Sequence, residues 1–483
     1  MNAPLRRVAI SVLVLFTLLI INVNYIQVVR ADKLREDPSN TRVLAEEYER
    51  ERGSIVVAGS EIAKSVRTDD RLTYLRQYPQ GPLYAPVTGY YSLVYNTAGL
   101  ERAENDVLAG NDPRLFARRL ADLFTGRDPS GGDVVLTLDA TVQQTAMDAL
   151  DGVTGAVVAL DPTTGAVLGL ASTPTYDPNQ LSSHDPAGIR AYADELQAAS
   201  PDPRQNQAIG QRYSPGSVFK VIVSAAALSD GYTPDTTIPA PDLLTLPGTR
   251  TTLENYNGET CDPSGQQPLI EALTISCNTA YAQLGIDLGE DRIRSMAEAF
   301  GIDDEGFDMP LPVSGSTVGD IENDAQLGVS SIGQQDVQIT PMQGAMIAAA
   351  VANGGTLMRP YLVDQVRAPD LTVIDQTDPE TMSEPVSETV AGELQQMMES
   401  VVTDGTGRKA RIPGATVGGK TGTAEIGDDV NPHTWFVGFA EQGDRRIAVA
   451  VFIKNGGGTG GDVSAPIARS VIQAYLDGQG AGG

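Results

Sequence analysis

The stretch QRYSPGSVFKVIVSAAAL, Gln211 to Leu228, places a lysine three residues after a serine at the head of an apolar run. The chain uses lysine sparingly, at Lys33, Lys64, Lys220, Lys409, Lys420 and Lys454, and only Lys220 follows a serine at that spacing. After Pro215-Gly216 the apolar spacing predicts a helix over 217–227. Residues i and i+3 of a helix share a face, so Ser217 and Lys220 stand together. A serine in the first turn also lies where unpaired N–H groups and the helix dipole favour negative charge, by about 0.3–1 kcal/mol. A serine hydroxyl is a weak nucleophile and needs a base. An ammonium group becomes that base only when burial or a second cation lowers its pKa. The plain alternative is an N-cap serine beside a surface lysine.

Two downstream segments weigh against that alternative. Ser276-Cys277-Asn278 lies in ISCNTAYAQLG, and Lys420-Thr421-Gly422-Thr423 lies in VGGKTGTAE. S-x-N alone is a weak signal, because Ser and Asn are ordinary helix caps. S-x-x-K, S-x-N and K-T-G in this order form the motif set of penicillin-binding proteins and class A β-lactamases.

On these motifs the chain resembles the class B penicillin-binding proteins, and most closely the penicillin-binding protein A group of actinobacteria. YSPGSVFK, SCNTAYAQLG, SIGQQDVQITPMQ, GTGRKA, GGKTGTAE and HTWFVGFAE carry the likeness beyond Asp133. It extends more thinly upstream, to RGSI at Arg52 and GLERAE at Gly99. The resemblance implies an α+β fold of the penicillin-recognising serine transferase kind, a central antiparallel sheet flanked by helices. It also implies a smaller N-terminal pedestal domain. The implied activity is D,D-transpeptidation of peptidoglycan stem peptides through a serine acyl-enzyme, with inhibition by β-lactams. Ser217 would attack, Lys220 would act as base, Ser276 would relay a proton, and Asn278 would hold Lys220 and the substrate amide. Lys420 would supply positive charge, and Thr421, Gly422 and Thr423 would line the carboxylate site. Backbone N–H groups of Ser217 and Thr423 would form the oxyanion hole. Two readings with the same fold stay open: a D,D-carboxypeptidase or β-lactamase-like hydrolase, and a β-lactam sensor.

Two departures stand out. Cys277 occupies the position where the class A pattern has Asp. No glutamate is evidently aimed at the ester; Glu254 and Glu259 lie between the first two motifs. Cys261 and Cys277 are the two cysteines. Outside the cytoplasm an even pair of this kind reads as a disulfide.

The rest of the chain sets the context. Residues 8–21, VAISVLVLFTLLII, open an apolar tract running on to Val29. At roughly 20 residues it is long enough to cross a membrane as a helix. Arg6 and Arg7 precede it, so the positive-inside rule puts the catalytic part outside the cytoplasm, behind a single uncleaved anchor. The 483 residues allow two or three domains. Three segments follow: 1–30 as cytoplasmic tip and anchor, 31–132 as pedestal, and 133–483 as the catalytic domain. The boundary rests on the Gly/Pro-rich linker TGRDPSGGD, Thr125 to Asp133. Segment 31–132 offers no room for a glycosyltransferase, so the family reading implies a polytopic membrane glycosyltransferase and other division or elongation proteins as partners. The net charge of −28 argues against a nucleic-acid ligand, whose phosphates want a basic face. His184 and His433 are isolated, with no metal-ligand spacing. No phosphate-cradling G-x-x-x-x-G-K-[ST] loop is present. No cofactor is expected.

Among the elements, GAVVALDPTTGAVLGLAS (Gly155 to Ser172) reads as a hairpin. GGKTGTAE, HTWFVGFAE and RIAVAVFIK read as strands near the C-terminus, joining that hairpin in one sheet. Helices are expected over 31–51, 114–124, 140–150, 341–352 and 464–476, and strand character over the tyrosine-rich 83–95.

Overall fold

The structure is a computed structural model that describes residues 2–30, 48–115, 130–427 and 430–478. Most of the expected helix over 31–51 and of that over 114–124 lies outside the described residues, as does about half of the linker; residues 48–51, which are described, form a turn and not a helix.

Helix α1, Asn2–Asn24, is apolar on every side and exposed. It is the one described helix long and apolar enough to cross a membrane, by length and composition. Strands β1 (Ile55–Val57), β2 (Ser60–Arg67) and β3 (Tyr74–Gln77) form a meander. Strand β4, Asp133–Leu136, begins at the end of the expected linker and lies parallel to β1. Helix α2 (Ala140–Ala149) leads into the hairpin of β5 (Gly155–Leu160) and β6 (Val167–Thr173). Asp139 caps α2, its carboxylate accepting the N–H groups of Thr141 and Val142.

The middle of the chain supplies helices α3 (Lys220–Ser229), α4 (Asn278–Leu288), α5 (Pro341–Ala352) and α6 (Glu388–Thr403). Between α5 and α6, strands β7 (Val363–Arg367) and β8 (Val373–Gln376) return to the first sheet, in order β8-β7-β4-β1-β2-β3. Strands β9 (Thr416–Ala424), β10 (His433–Gln442) and β11 (Arg445–Ile453) precede helix α7 (Ser464–Asp477). They join the hairpin in a five-stranded antiparallel sheet, β9-β10-β11-β5-β6, made from both ends of the catalytic region.

This second sheet is covered on both faces. Ala156, Val158, Trp435, Val437, Ala450 and Phe452 face the main core with α5. Their alternates Val157, Ala159, Phe436, Val449 and Val451 face α2 and α7. Side chains alternate along a strand, so near-continuous apolar runs are what a sheet buried twice requires.

The N-terminal segment has a charged centre. Glu101 is fully buried and accepts from Arg52 Nε at 2.7 Å and Arg76 Nε at 2.6 Å. Tyr78 donates its hydroxyl to the same carboxylate at 3.2 Å. Burial alone would raise the Glu101 pKa, but Arg76 and Arg52 outweigh it and hold the group charged. The RGSI and GLERAE words supply two members of this cluster.

One expectation fails. The strand composition of 83–95 gives instead a helix over Gly81–Thr88, with only Tyr91–Ser92 extended. Pro82 sits in its first turn, where a missing N–H costs nothing. Tyr84, Ala85, Val87 and Thr88 are buried, so tertiary packing overrides the β propensity of Tyr and Val.

Candidate active site

Ser217 lies in a 3-10 turn, Gly216–Phe219, that runs directly into α3. The expected helix is thus tighter at its head. Three residues per turn bring positions i and i+3 over one another, which sets Ser217 above Lys220. Ser217 is half-buried, and Lys220 is wholly shielded from solvent.

The approach to this turn is braced. Gly216 takes φ +52° and donates its N–H to Gly333 O at 2.9 Å. Ser214 Oγ donates to the same carbonyl at 2.8 Å. Trp435, on β10, donates Nε1–H to Ser214 O at 2.9 Å, locking the turn to the sheet. Strand β9 passes against it so closely that a Cβ on Gly422 would lie 2.5 Å from Pro215 O. Gly422 therefore serves the close approach of K-T-G to the serine turn, a packing reason for its being glycine.

Lys220 Nζ donates to Ser276 O at 2.7 Å and to Asn278 Oδ1 at 2.7 Å, with Ser276 Oγ at 3.3 Å. Lys420, also buried, donates Nζ–H to Ser276 Oγ at 2.8 Å and to Thr421 O at 3.0 Å. Four of the residues singled out in the sequence, from α3, the head of α4 and β9, thus form one hydrogen-bonded cluster. Ser276 achieves its double contact by adopting φ +65°, a strained conformation for a non-glycine residue. Thr421 Oγ1 shares a hydrogen bond of 2.7 Å with Thr406 Oγ1, and Thr423 Oγ1 accepts from Gly460 N at 3.2 Å.

Among the described residues no carboxylate belongs to this cluster, so its electrostatics are those of two buried amines. Burial drives the Lys220 pKa well below the ordinary lysine value, and the charge of Lys420 pushes it further down. Burial brings Lys420 down to about 7. Repulsion between two ammonium groups is mutual, so the pair favours a single proton, and the depressed pKa of Lys220 lets it stand neutral. A neutral amine has two N–H donors and one lone pair. Ser276 O and Asn278 Oδ1 accept the two N–H groups of Lys220, so its lone pair is left to accept a proton.

Several expectations concern the surroundings. Cys261 and Cys277 are joined by a disulfide. Glu254 and Glu259 are both exposed. His433 packs edge-on against Tyr213 and Phe452 and accepts from Asn455 N at 3.2 Å. Burial lowers its pKa to about 4, so it stays neutral and structural. His184 pairs with Asp70. Among the described residues no group of His, Cys, Asp and Glu is arranged to hold a metal ion.

Comparison with known proteins places this constellation. The penicillin binding protein transpeptidase domain matches residues 155–473, and the penicillin binding protein A dimerisation domain matches residues 52–134. The chain belongs to the penicillin-binding protein transpeptidase family. It is 48% identical to the peptidoglycan D,D-transpeptidase PbpA of Mycolicibacterium smegmatis, over 99% of each chain. It is 47% identical to PbpA of Mycobacterium tuberculosis, over 99% of this chain and 100% of that one. Among solved structures it resembles penicillin-binding protein A of M. tuberculosis as a ceftriaxone acyl-enzyme. That match has a TM-score of 0.87 and 46% identity, covering 90% of this chain and 100% of the other.

Sequence reasoning missed three groups at this candidate site. Thr406 lies within the GTGRKA word but had no role until its contact with Thr421 placed it. Tyr281 lies under the Lys220 ammonium, its ring centre 5.5 Å from Nζ, with its hydroxyl bonded to Ser224 at 2.7 Å. Asn255 bonds to the head of α4. Tyr281 lies within the SCNTAYAQLG word but had no role until its contact with Lys220 placed it, and no local pattern marks Asn255, whose partners begin 23 residues later.

Proposed function

We propose that this peptidoglycan D,D-transpeptidase works through Ser217, with Lys220 as its base. The observation that carries the reading is Lys220 itself: fully buried, with no carboxylate beside it among the described residues, and beside a second lysine. Ser217 Oγ attacks the carbonyl carbon of the penultimate D-alanine, and its proton passes to the lone pair of Lys220. Ser276, between the two lysines, relays a proton to the departing amine, and terminal D-alanine leaves. The amine of a second stem peptide then attacks the ester, and Ser217 regains its proton. Charged Lys420, with Thr421 and Thr423, holds the substrate carboxylate. Asn278 orients Lys220 and the substrate amide. The N–H groups of Ser217 and Thr423 stabilise the oxyanion, each such donor being worth about 2.7–4 kcal/mol in kcat. β-Lactams acylate the same serine, as the acyl-enzyme of the M. tuberculosis relative supports.

The proposal extends to location and partners. Helix α1 anchors the chain by a single pass, with residues 31–132 as pedestal and 133–483 as catalytic domain outside the cytoplasm. The pedestal docks a polytopic membrane glycosyltransferase, which supplies the glycan strands to be crosslinked.

The test is mass spectrometry of the purified enzyme with a D-alanyl-D-alanine stem-peptide analogue, with and without an amine acceptor. A crosslinked product that requires the acceptor is expected. Hydrolysed product alone would show a carboxypeptidase instead.

A further inference from the structure

The head of helix α4 has an irregular construction. Its N-cap residue is Cys277, whose side chain carries no oxygen and is tied into the disulfide, so it makes no cap hydrogen bond. The first N–H groups of a helix have no partner within it and need an acceptor from elsewhere. Asn255 supplies one from upstream. Its Oδ1 accepts from Asn278 N at 2.9 Å, from Thr279 N at 3.0 Å and from Thr279 Oγ1 at 3.3 Å. Asn255 is 5% exposed, and its Nδ2 has no hydrogen-bond partner among the described residues. The side chain is thus spent on its oxygen.

What that oxygen holds is the S-x-N backbone. Asn278 is the first residue of α4 and presents Oδ1 to Lys220 at 2.7 Å. One residue before the cap, strained Ser276 presents its carbonyl to Lys220 and its hydroxyl to Lys420. A non-glycine residue at φ +65° relaxes unless its surroundings hold it. The disulfide holds the chain at Cys277, and Asn255 holds the two N–H groups that follow.

We infer that Asn255 is a positioning residue for acylation, acting as a long-range helix cap that keeps Ser276 and Asn278 in register with Lys220. This rests on the assignment of Lys220 as base made above. Asn255 touches no reacting atom and acts through the backbone of α4. Its loss therefore slows the chemical step and leaves the first binding of the β-lactam largely intact.

The experiment measures acylation of the full chain by fluorescent penicillin against penicillin concentration, which separates the limiting rate from the half-saturating concentration. Asn255→Leu is expected to slow the limiting rate about 100-fold, the scale of loss from misplacing a catalytic group by about 1 Å. The half-saturating concentration should change by less than about threefold, as expected when an interaction made only in the transition state is removed. Asn255→Asp, which keeps an oxygen in place, should recover most of the rate. Asp139 caps α2, which packs on β6 and α7 away from α4; its carboxylate accepts from Thr141 N at 2.8 Å and Val142 N at 2.9 Å, and Asp139→Ala controls for lost stability alone. It should lower the unfolding temperature without slowing acylation. If Asn255→Leu does not fold, Asn255→Ser, which shortens the side chain, carries the same expectation. Wild-type limiting rates in the Leu or Ser variant, or an Asp variant no faster than Leu, would overturn the inference. Wild-type labelling that is lost in Ser217→Ala would leave the proposed function standing in that event. Labelling that survives in Ser217→Ala would remove both.

Discussion

Replacing Lys420 by methionine tests the coupling between the two buried amines. Both nitrogens reach Ser276 Oγ, at 3.3 and 2.8 Å, so they stand no more than about 6 Å apart. At that separation and an effective dielectric of about 20, two unit charges repel by about 3 kcal/mol. Acylation needs Lys220 neutral, so the rate rises as pH climbs through the lowered Lys220 pKa. It needs Lys420 charged, so the rate of the free enzyme falls again above about 7. Lys420→Met removes the repulsion and lets the Lys220 pKa rise. The rate should be lower throughout, the ascending limb should move to higher pH, and the descending limb near 7 should vanish. Methionine fills a similar volume and leaves no buried charge unpaired, so folding should survive. Second-order acylation rates with fluorescent penicillin, across the pH range, provide the measurement. A uniformly slower profile with both limbs in place would refute the coupling and leave Lys420 only a substrate contact.

Other substitutions probe separate parts of the account. Lys220→Arg puts a permanent positive charge where the reaction needs a neutral base, so acylation should fall to the level of Ser217→Ala. A stopped-flow rate near wild type would remove Lys220 as base. Glu101→Gln removes the carboxylate to which buried Arg76 donates, a change that costs about 3–5 kcal/mol when a buried pair is broken. Thermal unfolding should show a clear loss of stability, and an unchanged midpoint would mean the cluster is solvated in solution.

The catalytic sheet and the S-x-x-K, S-x-N and K-T-G elements were legible because their signals are local. Gly155–Leu160 and Val167–Thr173 carry β-branched runs around a turn, and each motif keeps its chemistry within four residues. What escaped was long-range. Strand β4 read as the start of the catalytic domain, yet it pairs with β1 from the pedestal segment and with β7 from far downstream. No spacing rule reports such pairings. Tyr84 and Val87 favoured a strand by composition but became helical because a buried helix fits beside β6. Asn255 was passed over beside the weighed Glu254, since its value lies in a helix that starts 23 residues later. The 3-10 geometry at Ser217 was likewise hidden, because apolar spacing does not distinguish a tight first turn from an α-helical one.

The central claim is that one hydroxyl, Ser217 Oγ, becomes the acyl carrier. Intact-protein mass spectrometry of penicillin-treated enzyme, followed by peptide mapping, tests it most directly. One penicilloyl group should be found, on the peptide containing Ser217, and none on Ser217→Ala. An adduct on any other residue, or one that persists in Ser217→Ala, would contradict the account.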